Sequence, residues 1–280
     1  MKIKLLGTGG SEGIPAIFCN CSICVNAKEK KGKEIRKRSG AIIDDEILID
    51  FPPDILSYIC DYNLDITKIK YLLVTHSHSD HLCLDDLGQR NEYVSKGRKE
   101  ALLNVYGNSC VVDLVKETMS NNGALNSATY NCVRGNEKFT CGDYTILPIK
   151  SKHIKSEESL LYLITKEDRT VFYCTDTDVL DVEQFENMSK NNAKIDCVFF
   201  DCTFGVARGL PSSLTEGHLN IDGVLKMVEL LKKYKLVKLN TKYVLTHIAH
   251  CGLVTHEQLE TVAKNYGFIA GYDGYEITIE

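Results

Sequence analysis

The sequence predicts an α+β fold of two β-sheets with helices outside them, and three observations carry this. Short apolar runs with β-branched residues recur along the whole 280-residue chain, each about strand length and bounded by turn residues or charges. Several succeed one another like hairpins. Between others lie single helical patterns. A plain doubly wound sheet fits the same alternation, so periodicity alone leaves both architectures open.

In chain order the candidate strands begin with "IKLL", "AIID", "EILID", "YLLVT" and "LLNVYG". The helical pattern "SCVVDLVKETMS" follows at 109–120. Residues 120–142, "SNNGALNSATYNCVRGNEKFTCG", have no clear period and read as a long loop or small insertion. Four more strands come next, "YTILPI", "LLYLIT", "TVFYCT" and "DCVFFD". The helix pattern "NIDGVLKMVELLKKY" spans 220–234, "KYVLT" is a strand, "THEQLETVAKNY" is a helix at 255–266, and "YEITI" closes the chain. With no internal repeat, low-complexity tract or Pro/Ser-rich linker, residues 1–280 read as one domain.

Composition narrows the function classes. An apolar fraction of 44% and a charged fraction of 25% are those of a folded globular protein. No stretch approaches the ~18 apolar residues a membrane helix requires. A net charge of −5 argues against broad capture of nucleic acid. The basic run "KEKKGKEIRKR" at 28–38, Arg36 and Arg38 included, reads as solvated charge. The start "MKIKLLGTGG" lacks the apolar run and cleavage site of a secretory leader. With twelve cysteines and no export signal, the expected compartment is the reducing cytoplasm, with thiols free or metal-bound.

The strongest signal is "VTHSHSDHL" at 74–82, where an apolar strand runs into His76, His78, Asp80 and His81. Two histidines spaced by one residue can face one ion, and the aspartate and third histidine can serve a second. Imidazole and carboxylate together suit zinc, manganese or iron. The remaining ligands must come from elsewhere. His153, Asp176 and His247 each follow an apolar strand, where α/β architectures place their sites. A second cluster, "CNCSIC", puts Cys19, Cys21 and Cys24 within six positions. Three thiolates call for a fourth ligand to close a structural zinc site.

His-x-His-x-Asp-His after a strand, then a later histidine, a strand-end aspartate and a final "LTH", resemble the metallo-β-lactamase superfamily of binuclear hydrolases. The likeness runs from "LLGTGGSEGIP" to "GYDGYEI". It implies an αββα sandwich, two mixed sheets face to face with helices on the outer faces. It also implies two divalent metals, zinc or manganese or iron. His76, His78 and His153 would hold one, Asp80, His81 and His247 the other, and Asp176 would bridge them, with Asp178 as the competing aspartate. Asp50 would support the ligands rather than bind metal. Two such metals lower the pKa of a shared water, so the implied nucleophile is a metal-bridging hydroxide.

"GTGGSEGIP", "CNCSIC", "IRKRSGAIID", "EGHLN" and "LTHIAHCG" bring the chain closest to the superfamily's cyclic phosphodiesterases of carbon–phosphorus lyase (phosphonate degradation) pathways. That resemblance implies His250 as the fourth ligand of one structural zinc in the 7–30 loop, with Cys251 as its competitor. It makes His218 the general acid for the leaving group and counts Asp80 with it as catalytic. Ser11 or nearby backbone amides would line the pocket, while His256, opening the last helix, receives no role. The expected substrate is a small phosphodiester, bound by a cytoplasmic homodimer with no membrane or nucleic-acid partner. Three other functions are compatible with the fold. One is a tRNA 3′-end processing endonuclease, disfavoured because 120–142 has only Arg134 and Lys138 as basic residues. The others are a lactone or thioester hydrolase, and a non-catalytic cofactor-biosynthesis member of the pyrroloquinoline quinone type.

Overall fold

Every apolar run named above becomes a strand in the computed structural model, which describes residues 1–100, 102–209 and 215–280. The first sheet takes β1 (Lys2–Gly7), β2 (Gly40–Ile43), β3 (Ile47–Ile49), β4 (Tyr71–Leu73), β5 (Leu103–Gly107) and β6 (Ala128–Cys132). The second takes β7 (Phe139–Cys141), β8 (Tyr144–Lys150), β9 (Leu160–Lys166), β10 (Arg169–Cys174), β11 (Ile195–Asp201), β12 (Val237–Thr246) and β13 (Ile269–Ala270). The last strand, β14 (Glu276–Thr278), returns to the first sheet beside β1. The sheet orders are β14-β1-β2-β3-β4-β5-β6 and β13-β12-β11-β10-β9-β8-β7.

Both sheets are mixed. Neighbours are antiparallel from β14 to β3 and from β7 to β10, whereas β3 to β6 and β10 to β13 run parallel. Parallel neighbours need crossover connections, and helices supply them. Helices α2 (Ile55–Tyr62), α3 (Leu84–Leu87) and α4 (Ser109–Asn121) make the crossovers of the first sheet. Helices α5 (Val182–Lys190), α6 (Ile221–Lys233) and α7 (His256–Asn265) make those of the second. Helix α1 (Ser22–Lys30) follows the cysteine cluster.

Three apolar layers result. Ile3, Leu5, Ile43 and Ile49 of the first sheet meet Tyr162, Ile164, Tyr173 and Phe199 of the second. Val111, Val115 and Met119 of α4 cover the outer face of the first sheet with Leu72 and Val105. Phe185 of α5 and Val224, Met227 and Leu231 of α6 cover the second with Phe172 and Phe200. This αββα sandwich excludes the doubly wound alternative. Truncating a fully buried ring such as Phe185 would cost about 3–5 kcal/mol.

Two expectations are corrected. Residues 120–142 are not a loop or insertion: they contain β6 and β7, one edge strand of each sheet. An edge strand pairs on one side only, and β6 is mostly part-exposed, so its polar sequence hides the strand period. Arg36 is not solvated either. It is 3% exposed, and it donates to Thr8 Oγ1 (2.7 Å), the Gly271 carbonyl (2.8 Å) and His256 Nδ1 (3.0 Å). A buried guanidinium is tolerated only with such partners.

Candidate metal centre and active site

The candidate ligands sit where strands end. β3, β10 and β12 are followed by Asp50, Asp176 and His247, with φ of 62°, 58° and 56°. The left-handed region is costly for non-glycine residues, on the order of 1–3 kcal/mol each. Here it turns the chain abruptly and aims each side chain out of its strand at the sandwich edge. β4 runs on through Val74 and Thr75 into His76, and His153 follows β8 on the neighbouring loop.

The structure brings all seven predicted ligands together. The groups His76–His78–His153, Asp80–His81–His247 and His76–His81–Asp176 each hold donor atoms within 4.8 Å of one another. His78 Nδ1 lies 3.1 Å from His76 Nε2 and 3.2 Å from His153 Nε2. His81 Nε2 lies 3.2 Å from both Asp80 Oδ2 and Asp176 Oδ2, and His247 Nε2 is 3.1 Å from Asp176 Oδ1. Asp178 joins no such group among the described residues, so Asp176 is the aspartate at the centre.

On four imidazoles the far nitrogen is tied down. His81 Nδ1–H donates to Asp50 Oδ2 (2.7 Å), and His76 Nδ1–H to Thr75 Oγ1 (3.0 Å). His153 Nδ1–H donates to the Gly217 carbonyl (3.2 Å), and His247 Nδ1–H to Thr203 Oγ1 (2.8 Å). These bonds fix the tautomer that leaves the inner nitrogen free to ligate. Asp50 is fully buried and also accepts from Thr75 N (2.8 Å). Gly217, at φ 85°, lets its backbone approach; a Cβ there would lie 2.8 Å from His153 Nδ1.

Three inner atoms, His81 Nε2, His247 Nε2 and Asp176 Oδ2, are buried without a hydrogen-bond partner among the described residues. Orphaned polar atoms are costly unless something satisfies them, and a convergent imidazole–carboxylate set is chemically fitted to divalent metals. The electrostatics agree. Burial and the His81 charge hold His76 well below the ordinary histidine range, and burial lowers His153, so both are neutral donors. Burial opposes ionisation of Asp176, yet the surrounding histidines hold it well below the usual carboxylate range. Burial pulls His81 down, but the carboxylates of Asp176, Asp80 and Asp50 that converge on its ring push it well up.

Beside this set His218 Nδ1–H donates to Asp201 Oδ2 (2.9 Å). Asp201 is fully buried and also accepts from Asp176 N, Thr203 N and Leu219 N at 2.9–3.0 Å. Burial alone would lower His218, but Asp201 and Asp176 push it up to about 9. Sequence reasoning missed Asp201, although it ends "DCVFFD" as Asp50 ends "EILID". It also missed Glu157, which accepts from both Ser77 N (3.0 Å) and Ser77 Oγ (2.6 Å) and so pins the residue between two ligands. His78, Asp80, His153, Asp176, His218 and His247 open on a cavity of about 410 Å³, whose lining also includes Gly10, Ser11, Glu12 and Cys251.

Cys19, Cys21, Cys24 and His250 form a second group, with His250 Nδ1 3.5 Å from the Sγ atoms of Cys19 and Cys21. Burial opposes ionisation of Cys21, but bonds from the Cys24 backbone and His250 lower it to about 6. His250 Nε2–H faces Glu12 Oε1 at 3.2 Å, the carboxylate–histidine arrangement that supports zinc ligands. Cys251 is exposed and outside this group.

Residues 46–248 match the β-lactamase superfamily domain. The chain belongs to that superfamily. Over its whole length it is similar to a diphosphatase of the PhnP family, with a TM-score of 0.74 at 23% identity and 98% of that chain covered. It is similar also to zinc-bound PqqB from Methylobacterium extorquens, with a TM-score of 0.72 at 17% identity and both chains fully covered. At these identities the likeness establishes the metallo-β-lactamase fold. The chain is also 24% identical over 289 aligned positions to an octanoyltransferase of Porphyromonas gingivalis, spanning 52% of that protein's length. Among the described residues no helix is long and apolar enough to cross a membrane.

Proposed function

We propose that this chain is a metal-dependent phosphodiesterase acting on small cyclic phosphates or nucleotide-like phosphodiesters, with His218 as general acid. The observation that carries this reading is the Asp201–His218 pair at the edge of the ligand cluster. Metals held by the seven ligands would supply Lewis acidity toward a phosphoryl oxygen and acidify water. The chain itself supplies proton delivery. Asp201 fixes Nδ1 of His218, which leaves Nε2 to carry the proton that a departing alkoxide needs. Because His218 is pushed up to about 9, its acid form persists through neutral pH.

The test varies the leaving group. H218A should lower hydrolysis of a 2′,3′-cyclic nucleotide by about 10²–10⁴-fold, with active-site metal retained. It should affect bis(p-nitrophenyl) phosphate far less, because nitrophenolate leaves without a proton. Equal losses on both substrates would remove His218 from the acid role. A second reading, hydrolysis of an acyl thioester or lactone, is favoured by the match to half of an octanoyltransferase. Octanoyl thioester cleaved while every phosphodiester is ignored would select it.

A further inference from the structure

The loop after β1 brings one more carboxylate to the cavity wall. Among the described lining residues the carboxylates are Asp80, Asp176 and Glu12, and only Glu12 lies outside the ligand set. The same lining contains no lysine or arginine. Arg38, which reaches the same loop, donates through Nε to the Ser11 carbonyl (2.9 Å) and pairs with Asp54 (3.2 Å).

Glu12 is held from behind. Its Oε1 faces Nε2 of His250, the histidine of the Cys₃His group, at 3.2 Å. Among the described residues its Oε2 accepts only the Ser11 hydroxyl (2.9 Å), an exposed and exchangeable donor. The side chain is 33% exposed, so it is anchored at one oxygen and accessible at the other. The loop beneath is fixed as well, since Gly10 N donates to the Ile248 carbonyl (3.1 Å) beside His247. A positioned carboxylate facing a site for anionic phosphate repels further negative charge. It attracts O–H donors, with which it makes charge-assisted hydrogen bonds. Acidic side chains recognise ribose hydroxyls in this way elsewhere.

We propose that Glu12 is a specificity-determining residue that selects substrates bearing a vicinal diol, such as a ribose, on the part of the molecule that meets the loop after β1. This rests on the phosphodiesterase reading for the reacting bond, but the recognition itself is independent of turnover. It also ties specificity to the cysteine cluster, because His250 orients the carboxylate that meets the substrate.

The experiment uses two matched ligands, the p-nitrophenyl ester of uridine 5′-phosphate and its 2′,3′-dideoxy counterpart. The metal-loaded protein is compared with E12Q and S11A by kcat/KM and by calorimetric binding, each variant dialysed against zinc with its zinc content measured. Wild type should favour the diol by about 10-fold, the scale of one hydrogen bond to a charged group. The preference should appear in KM and Kd rather than kcat. E12Q, which keeps an acceptor for His250, should bring the ratio to about 1, whereas S11A, which frees Oε2, should keep it. Equal affinity of wild type for both ligands would overturn the proposal. So would a diol preference that survives in E12Q, or one lost equally in S11A. Tighter diol binding without hydrolysis of either ester would uphold the role of Glu12 and reject the phosphodiesterase reading instead.

Discussion

The two sheets follow one plan and use it differently. Each runs through three antiparallel pairings and then three parallel ones, with helices carrying the parallel crossovers. In each, the strand that begins the parallel half is followed by an aspartate in the left-handed region, Asp50 after β3 at φ 62° and Asp176 after β10 at φ 58°. The next strand delivers histidine in the first sheet, through Thr75 to His76, and Asp201 with Thr203 in the second. Yet Asp50 spends both oxygens on Thr75 and His81, whereas Asp176 leaves Oδ2 without a partner. Equivalent backbone thus sets where a carboxylate stands. What donates to it sets whether its oxygens are all engaged or one is left open.

The largest expected effects test that division directly. D176A removes a buried carboxylate whose oxygens lie 3.1–3.7 Å from His81, His153 and His247, so metal content should fall and phosphodiester turnover drop on the order of 10³-fold. D50N removes only a support, and losses of a ligand's hydrogen-bond partner run to about 10–100-fold in affinity or activity. Inductively coupled plasma measurement of metal per chain, with turnover at saturating metal, separates the two. If D50N loses as much metal as D176A, the two aspartates are not divided as supporter and ligand.

How much of this was legible in the sequence follows from which physical signal each feature leaves. Strands buried between layers are apolar throughout, and all eleven named runs became strands. The clustered histidines and aspartates were legible because polar residues directly after such strands are conspicuous. Edge strands β6 and β7 were not, because half-exposed positions accept polar residues. Nor was the plan shared by the sheets, since topology repeats here without any repeat of residues. Asp201 carried the same strand-end signal as Asp50 and was simply not weighed. Glu12, Glu157 and Arg36 left no local signal at all. Each acts through a partner far along the chain, up to 238 positions away for Glu12 and His250, which only the folded molecule brings near.

Two joins hold the halves in register, and they should differ in strength. The Cys₃His group ties the loop after β1 to the loop after β12, three residues beyond His247. C21S should cost about one zinc per chain, since a four-ligand site with a missing thiolate binds poorly. It should destabilise by ~2 kcal/mol or more and lower Tm by roughly 4–8 °C, with activity falling in parallel as His247 loses its anchor. An unchanged zinc count in C21S would remove this join from the account.

The second join, buried Arg36 against His256, should show itself only in the pH dependence of stability. Burial, then the Arg36 and Lys33 charges, lower His256 from its usual 6.5 to about 4, partly offset by Glu260. A lowered value means the unfolded chain binds this proton first. His256 therefore contributes stability that is present above about pH 6.5 and is lost as pH falls toward 4. Asp273, which accepts from Thr8 and from Lys37 N, has the opposite sign. Burial pushes it up to about 6, so its contribution is present below its usual 3.8 and is lost as pH rises through 6. Between pH 4 and 6 the two slopes oppose each other, and the native protein should show a nearly flat profile from this cluster. H256Q keeps an acceptor for Arg36 but no longer titrates, which leaves the Asp273 slope alone. Its Tm relative to wild type should therefore fall between pH 4.5 and 6.5, by about 2–4 °C. Parallel Tm curves for the two proteins across that window would mean that His256 keeps its proton equilibrium unchanged on folding, and that the Arg36 join is only steric.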